Sequence, residues 1–211
     1  MIKTSILNKL ASSIGRRDTE PNKDLAQQIV AKNDKAAIKE LVANLSNKDK
    51  NIQSDCIKVL YEVGERKPEL LAEYDKEFLE LLTNKNNRLV WGAMTALDCI
   101  ASINPKGIYK NLALILKISN TGSVITKDHA IGILTKVAAV KEYKDNALIL
   151  LLDQFKTALT NQLPKYAEDA FPIIDDKHKK DFIKILSSRL DDIEKDTKRN
   201  RVEKVIKKLS K

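Results

Sequence analysis

Trp91, the single tryptophan of the chain, lies near two residues that often carry chemistry, Asp98 and Cys99. Trp91 and Asp98 are seven residues apart and would share roughly one face of a helix. A cysteine nucleophile also needs a histidine within hydrogen-bond reach, and the chain has only His129 and His178. No HExxH, paired-cysteine zinc spacing, P-loop or GxGxxG motif occurs. The sequence therefore predicts no catalytic residue, no cofactor and no metal ligand, and it favours a protein that is not an enzyme.

Composition narrows the class of protein. Hydrophobic residues make up 43% and charged residues 32% of the 211 positions, as in ordinary globular proteins, and the low glycine and proline content favours helices. No apolar run reaches the 18 residues that a membrane span needs. The two cysteines lie in apolar runs, which is typical of a reducing compartment and indicates a cytoplasmic protein.

The net charge of +9 is concentrated at the two ends of the chain. Residues 1–33 carry +3, residues 34–174 carry +1 and residues 175–211 carry +5. A basic end can attract anionic partners, but the outer units of a stacked protein must be polar in any case.

The surroundings of Trp91 belong to a repeat of 37 residues. Small residues recur at this spacing, and apolar residues follow each of them three, four and seven positions later, which is the pattern of one helix face. The small residues, here called the anchors, are Cys56, Ala93, Ala130 and Ala167. Seven positions before each anchor lies a residue suited to cap a helix N-terminus, namely Asp49, Asn86, Ser123 and Thr160.

A second series of apolar positions predicts another helix before each anchor helix. Leu41, Phe78, Ile115 and Leu152 are also 37 residues apart, and Pro68 and Pro105 stand where new helices would begin. Pro172 lies inside the fourth anchor helix and predicts a kink or an early end between Ala170 and Ile173. The segments SILNKLASSI and DLAQQIVAKN predict a first helix pair, and DFIKILSSRL and RNRVEKVIKKL predict a last one.

These features resemble HEAT repeats over nearly the whole chain. The resemblance rests on the cap residue, the hydrophobic residue three positions later (Ile52, Leu89), the small anchor and the leucine four positions beyond it. Tetratricopeptide repeats are less similar, because their Leu-Gly pair is missing and a period of 37 is too long for them. The resemblance implies an all-α, right-handed α-solenoid of about six stacked antiparallel helix pairs, with second helices lining a concave face.

We expect residues 1–211 to form one solenoid domain. It would consist of an N-terminal cap pair over residues 1–33, four 37-residue repeats over residues 34–174 and a basic C-terminal cap pair over residues 175–211.

The predicted concave face carries mixed charges and two aromatic residues, which favours a protein partner for a scaffold and no small-molecule substrate. The candidate partner-binding residues are Lys58, Tyr61, Trp91, Thr95, Asp98, Lys127, Asp128 and Lys136. Nucleic-acid binding through the basic terminal helices is the alternative. Its candidate anion-binding residues lie opposite Val202 on the last helix: Arg201, Lys204, Lys207, Lys208 and Lys211. A third possibility is the activity of HEAT-like DNA glycosylases, which use aromatic residues and an aspartate, although the residues around Trp91 and Asp98 do not match their motif.

Overall fold

The computed structural model describes residues 5–211, and within them the chain forms α-helices and short 3₁₀ turns but no strand. The α-helices are α1 (Glu20–Lys32), α2 (Lys35–Ala43), α3 (Lys50–Arg66), α4 (Asp75–Leu81), α5 (Asn87–Ile100), α6 (Pro105–Lys110), α7 (Leu112–Thr121), α8 (Val124–Ala138), α9 (Lys144–Thr157), α10 (Leu163–Ala170), α11 (Asp176–Ser188) and α12 (Asp196–Leu209). No helix in this part of the chain is long and apolar enough to cross a membrane.

The chain divides into two compact units, one ending at Thr126 and the other running from Lys127 to Lys211. In the N-terminal unit, α2 packs on α3 and α4 on α5, while the second helices α1, α3 and α5 pack on one another in sequence order. In the C-terminal unit, α11 packs on α12, α9 on α11, and α10 on α12. Each unit thus stacks helix pairs as the repeat predicts. The single domain over residues 1–211 stays a prediction.

The predicted apolar stripe forms the core of both units. All four anchors are almost fully buried, from 0% to 1% exposed. The first-helix positions Leu41, Phe78, Ile115 and Leu152 are buried as well. Because a small anchor lets a neighbouring helix approach closely, burial at these positions follows from the 37-residue pattern.

Three of the four predicted N-caps are present. The side chains of Asp49 and Asn86 accept hydrogen bonds from the amides two residues on, at 2.8 and 3.1 Å, and Ser123 Oγ accepts from Thr126 N at 3.4 Å. The prediction for Thr160 is wrong, because α10 begins at Leu163. The reason is Pro164, which has no amide hydrogen and is tolerated only in the first turn of a helix.

Proline also ends α10 early, as predicted. The helix stops at Ala170 and a 3₁₀ turn follows over Phe171–Ile173, which contains Pro172. The half-buried state of Phe171 and Ile174 follows from this early end.

The first helix of the predicted N-terminal cap pair is not a regular α-helix. Two 3₁₀ turns, Ile6–Lys9 and Ser12–Ile14, replace it. Where the second turn begins, the amides of Ala11 and Ser12 donate to the side chains of Asn22 and Asp55 instead of to helical carbonyls. Side-chain acceptors of this kind compete with helix formation. Residues 1–4 of the predicted cap pair lie outside the described residues.

Gly92 allows α3 and α5 to approach closely. A Cβ atom placed on Gly92 would lie 2.3 Å from Cγ1 of Ile57, which is 1% exposed and has little room to move. With Ile57 on α3, the two helices can therefore keep this separation only with glycine at position 92.

Candidate functional site

Two adjoining cavities of about 510 and 310 Å³ lie in the N-terminal unit, between α3, α5 and the segment that precedes α1. They share five lining residues and together form what is called here the α3–α5 groove. The shared residues are Arg17, Thr19, Ser54, Asp55 and Arg88. The first cavity adds Ala11, Ser12, Gly15, Arg16, Asp18 and Asn51, and the second adds Ile57, Lys58, Tyr61, Trp91, Gly92, Thr95 and Ile125.

The aromatic part of the groove contains Tyr61 from α3 and Trp91 from α5, both half-buried. Lys58 Nζ lies 4.5 Å from the centre of the Tyr61 ring and 2.6 Å from Oε1 of Glu62. Burial opposes ionisation of Glu62, but hydrogen bonds from Lys58 and Arg66 outweigh it and hold the pKa of the carboxyl below its usual range. Lys58 is therefore fixed in place, with its ammonium group held over the Tyr61 ring.

A hydrogen-bonded network holds the segment before α1 against α3. Asp55 Oδ2 accepts from the amide of Ser12 at 2.8 Å, and Asp55 Oδ1 accepts from Asn22 Nδ2 at 2.7 Å. Asn22 is fully buried, and its Oδ1 accepts from the amide of Ala11 at 3.0 Å. Both carboxylate oxygens of Asp55 are thus occupied inside the protein, and Arg17, five residues after Ser12 in the same segment, lines the groove.

The charged side chains of the groove differ in whether they have a partner. Arg16 forms a two-point ion pair with Asp18, at 2.8 and 2.9 Å, and the pKa of Asp18 is lowered first by this hydrogen bond. Arg17 and Arg88 are exposed and have no carboxylate partner within residues 5–211. Four basic and two acidic side chains line the groove, which leaves it with a net charge of +2.

The groove brings together four of the eight predicted partner-binding residues. Lys58, Tyr61, Trp91 and Thr95 line it, although Thr95 is only 7% exposed and its hydroxyl donates to the Trp91 carbonyl at 2.9 Å. Asp98 lies farther along α5, half-buried and outside the lining residues.

The other three predicted residues, Lys127, Asp128 and Lys136, are half-buried residues of α8 in the C-terminal unit. Asp128 accepts a hydrogen bond from the Tyr166 hydroxyl, and burial together with this bond raises the pKa of Tyr166. Asp128 therefore has a partner within its own unit.

The predicted anion-binding residues lie on α12, and two of them have partners in the C-terminal unit. The Arg201 guanidinium binds both carboxylate oxygens of Glu168, at 2.8 and 2.6 Å, and Lys208 Nζ lies 5.6 Å from the centre of the Phe171 ring. Lys204, Lys207 and Lys211 are exposed. Two of the five predicted side chains thus already have a partner within the C-terminal unit, and anion binding by this set stays a prediction.

Two features bear on catalytic or metal chemistry. Burial raises the pKa of the Cys56 thiol to about 12, so this cysteine is not a thiolate nucleophile near neutral pH.

In the described part of the chain, Asp145, Asp175 and His178 form a group of possible metal ligands that the sequence did not predict. Lys177 binds Asp145, and Lys144 Nζ lies 3.1 Å from Asp175, so side chains of the protein itself already balance both carboxylates.

The Asp175 carboxylate gives stability a pH dependence that can be measured. A carboxylate only accepts, so Nδ1 of His178 donates to Asp175, at 2.7 Å. This bond, with those from Lys144 and the His178 amide, lowers the pKa of Asp175 to about 2. The stabilisation is complete above the unfolded-state pKa of 3.8 and is lost as the pH falls through about 2. We expect Asp175→Asn to lower the free energy of unfolding at pH 7, and the difference from wild type to shrink as the pH approaches 2.

Urea unfolding between pH 7 and pH 2 measures this difference, with the exposed neighbour variant Asp176→Asn as the control. A constant difference between wild type and Asp175→Asn across that range would contradict the assignment.

Sequence reasoning missed the contribution of the segment before α1. Arg17 stands in the short motif GRRD, and Arg88 lies three residues before Trp91, which puts both on one face of α5. The spacing of Arg88 could have indicated its place in the groove. Arg17 and Asp55 carried no such signal, because their positions depend on contacts between distant parts of the chain.

No protein-family model matches the chain, and no curated protein matches it in sequence. Solved structures do match its fold. A designed armadillo repeat protein in complex with the peptide (KR)4 is similar with a TM-score of 0.68 and 14% identity, over 90% of this chain and 87% of that chain. Another designed armadillo repeat protein has a TM-score of 0.65 and 15% identity, over 97% and 91% of the two chains.

An engineered protein is similar over 100% of this chain and 97% of its own, with a TM-score of 0.63 and 18% identity. At these levels of sequence identity, the similarity shows a shared fold only. The predicted all-α solenoid of the HEAT and armadillo type is confirmed.

Proposed function

We propose that the protein is a non-enzymatic scaffold that binds a segment of a partner protein in the α3–α5 groove. The observation that carries the proposal is the pair of half-buried aromatic side chains, Tyr61 and Trp91, lining one cavity with charged and polar residues around them. Partly exposed aromatic residues supply much of the binding energy at protein interfaces, and a polar rim limits the access of water to them.

The fold supports this proposal in general terms. Armadillo-like solenoids often serve as protein-binding scaffolds, and one similar structure is a complex with a peptide. The mixed charge of the groove also favours a protein partner, because a nucleic-acid groove would carry a mostly basic row.

Nucleic-acid binding through α12 is the second candidate, since Lys204, Lys207 and Lys211 are exposed on this helix. It has less support than peptide binding. Glu168 already binds Arg201, and no aromatic side chain alternates with these lysines to stack on bases.

Selection of peptides from a random ten-residue display library on the immobilised protein tests the proposal. We expect the selected peptides to bind wild type, and binding to weaken about tenfold or more in Trp91→Ala, because an aromatic anchor is lost. Ile103→Ala is the matched control, since Ile103 is an exposed apolar residue outside the groove. Circular dichroism of each variant checks that the fold is intact, and Tyr61→Ala provides a second groove variant if Trp91→Ala does not fold.

Two outcomes would contradict the proposal: no peptide is enriched, or the selected peptides bind wild type and the folded groove variants equally well. Salt-sensitive binding of a duplex oligonucleotide that is abolished by charge reversal at Lys204, Lys207 and Lys208 would instead favour the second candidate.

A further inference from the structure

We infer that the segment bound in the α3–α5 groove is acidic, with its carboxylates held by Arg17 and Arg88. This inference rests on the proposed function and specifies the partner's chemistry. The two arginines come from different parts of the chain, one from the segment before α1 and one from the first turn of α5, yet they line the same two cavities.

The other charges of the groove are already satisfied inside the protein. Asp18 binds Arg16, Asp55 binds Ser12 and Asn22, and Lys58 binds Glu62. Within residues 5–211, Arg17 and Arg88 are the groove cations that have no such partner. A bound carboxylate would complete the pairing, whereas a basic segment would bring a like charge against a surface of net charge +2.

Arginine at position 88 is suited to bind a carboxylate that lies next to an apolar contact. A guanidinium can hold both oxygens of a carboxylate in a planar, two-point arrangement, which an ammonium group cannot do. Arg88 lies one helical turn before Trp91, so both side chains project from the same face of α5. An acidic side chain on Arg88 thus places the neighbouring part of the segment at the aromatic end of the groove.

The single tryptophan makes the test direct, because every change in tryptophan emission comes from Trp91 in the groove. The full-length protein is titrated with three labelled eight-residue peptides: all glutamate, alternating lysine and arginine, and alternating glycine and serine. Anisotropy of the label measures affinity, and Trp91 emission reports whether the peptide occupies the groove. We expect only the glutamate peptide to bind with a change in emission, and its affinity to fall as salt screens the charges.

Charge reversal locates the contact. We expect Arg17→Glu and Arg88→Glu each to weaken binding of the glutamate peptide by about tenfold or more, as for a lost charge-assisted pair. Lys76→Glu is the matched control, because Lys76 is an exposed cation of α4 in the same unit but does not line the groove. Both arginines are exposed, so their replacement should leave the melting temperature near that of wild type.

The outcomes separate this inference from the proposed function. If the display library yields groove-binding peptides that are basic or uncharged, or if Lys76→Glu weakens binding as much as Arg88→Glu, the inference is overturned and the proposed function stands. If no peptide of any charge binds with a change in Trp91 emission and the library yields none, both fail.

Discussion

Replacing Ala93 with aspartate should unfold the N-terminal unit or leave it barely stable. Ala93 is 0% exposed and lies where α5 packs against α3 and α4. An ionised carboxylate buried there without a partner costs about 3–5 kcal/mol, a large part of the 5–15 kcal/mol that typically stabilises a domain. Urea unfolding followed by circular dichroism measures the loss.

Asn86→Ala on the same helix is the matched control. It removes the N-cap bond to the Arg88 amide and should cost only about 1 kcal/mol, because the cap is at the surface end of α5. If Asn86→Ala destabilised the protein as much as Ala93→Asp, the assignment of the buried face of α5 would be wrong.

Asp55→Ala should release the segment before α1 from α3. The substitution leaves the buried Asn22 amide group and the Ser12 amide without their acceptor, at a cost of about 3 kcal/mol for the two groups. We expect faster hydrogen exchange at the Ala11 and Ser12 amides, and weaker binding of a groove peptide because the segment that carries Arg17 is no longer held against α3.

Asp55→Asn separates the loss of charge from the loss of both acceptors. An asparagine at this position keeps one acceptor oxygen, so its effects on stability and exchange should be intermediate. Exchange at Ser12 that is unchanged in both variants would show that this network does not hold the segment.

The helices could be predicted from sequence because their information is local and repeated. A small residue such as Ala130, with apolar residues three, four and seven positions on, specifies a buried helix face whatever its neighbours are. Prediction was wrong where a second constraint competed with the repeat. Thr160 has the right spacing for a cap, but Pro164 sets the start of α10 three residues later. In the segment before α1, the side chains of Asn22 and Asp55 accept hydrogen bonds from the Ala11 and Ser12 amides, which in a helix would donate to backbone carbonyls.

Sequence analysis could predict only some of the residues that line the candidate groove. Lys58, Tyr61, Trp91 and Thr95 could be found because they occupy positions outside the apolar stripe of second helices, and the repeat gives their register. Arg17 could not, because it belongs to a segment that the Ser12 and Asn22 bonds to Asp55 hold against α3, and no period in the sequence indicates these bonds. A repeat indicates which helix faces lie outside the apolar stripe. The position of a segment that folds back onto those faces is determined by tertiary contacts.

The glycine at position 92 sets a limit for anyone who would redesign this surface. Since a methyl group there would collide with Ile57, substitution would force α3 and α5 apart, and with them the helices that carry Tyr61 and Trp91. An engineer who wanted the groove to admit bulkier side chains could use this position to widen it. Combining the substitution with Ile57→Ala, which removes the two γ carbons nearest to the added methyl group, would instead let the two helices keep their present separation.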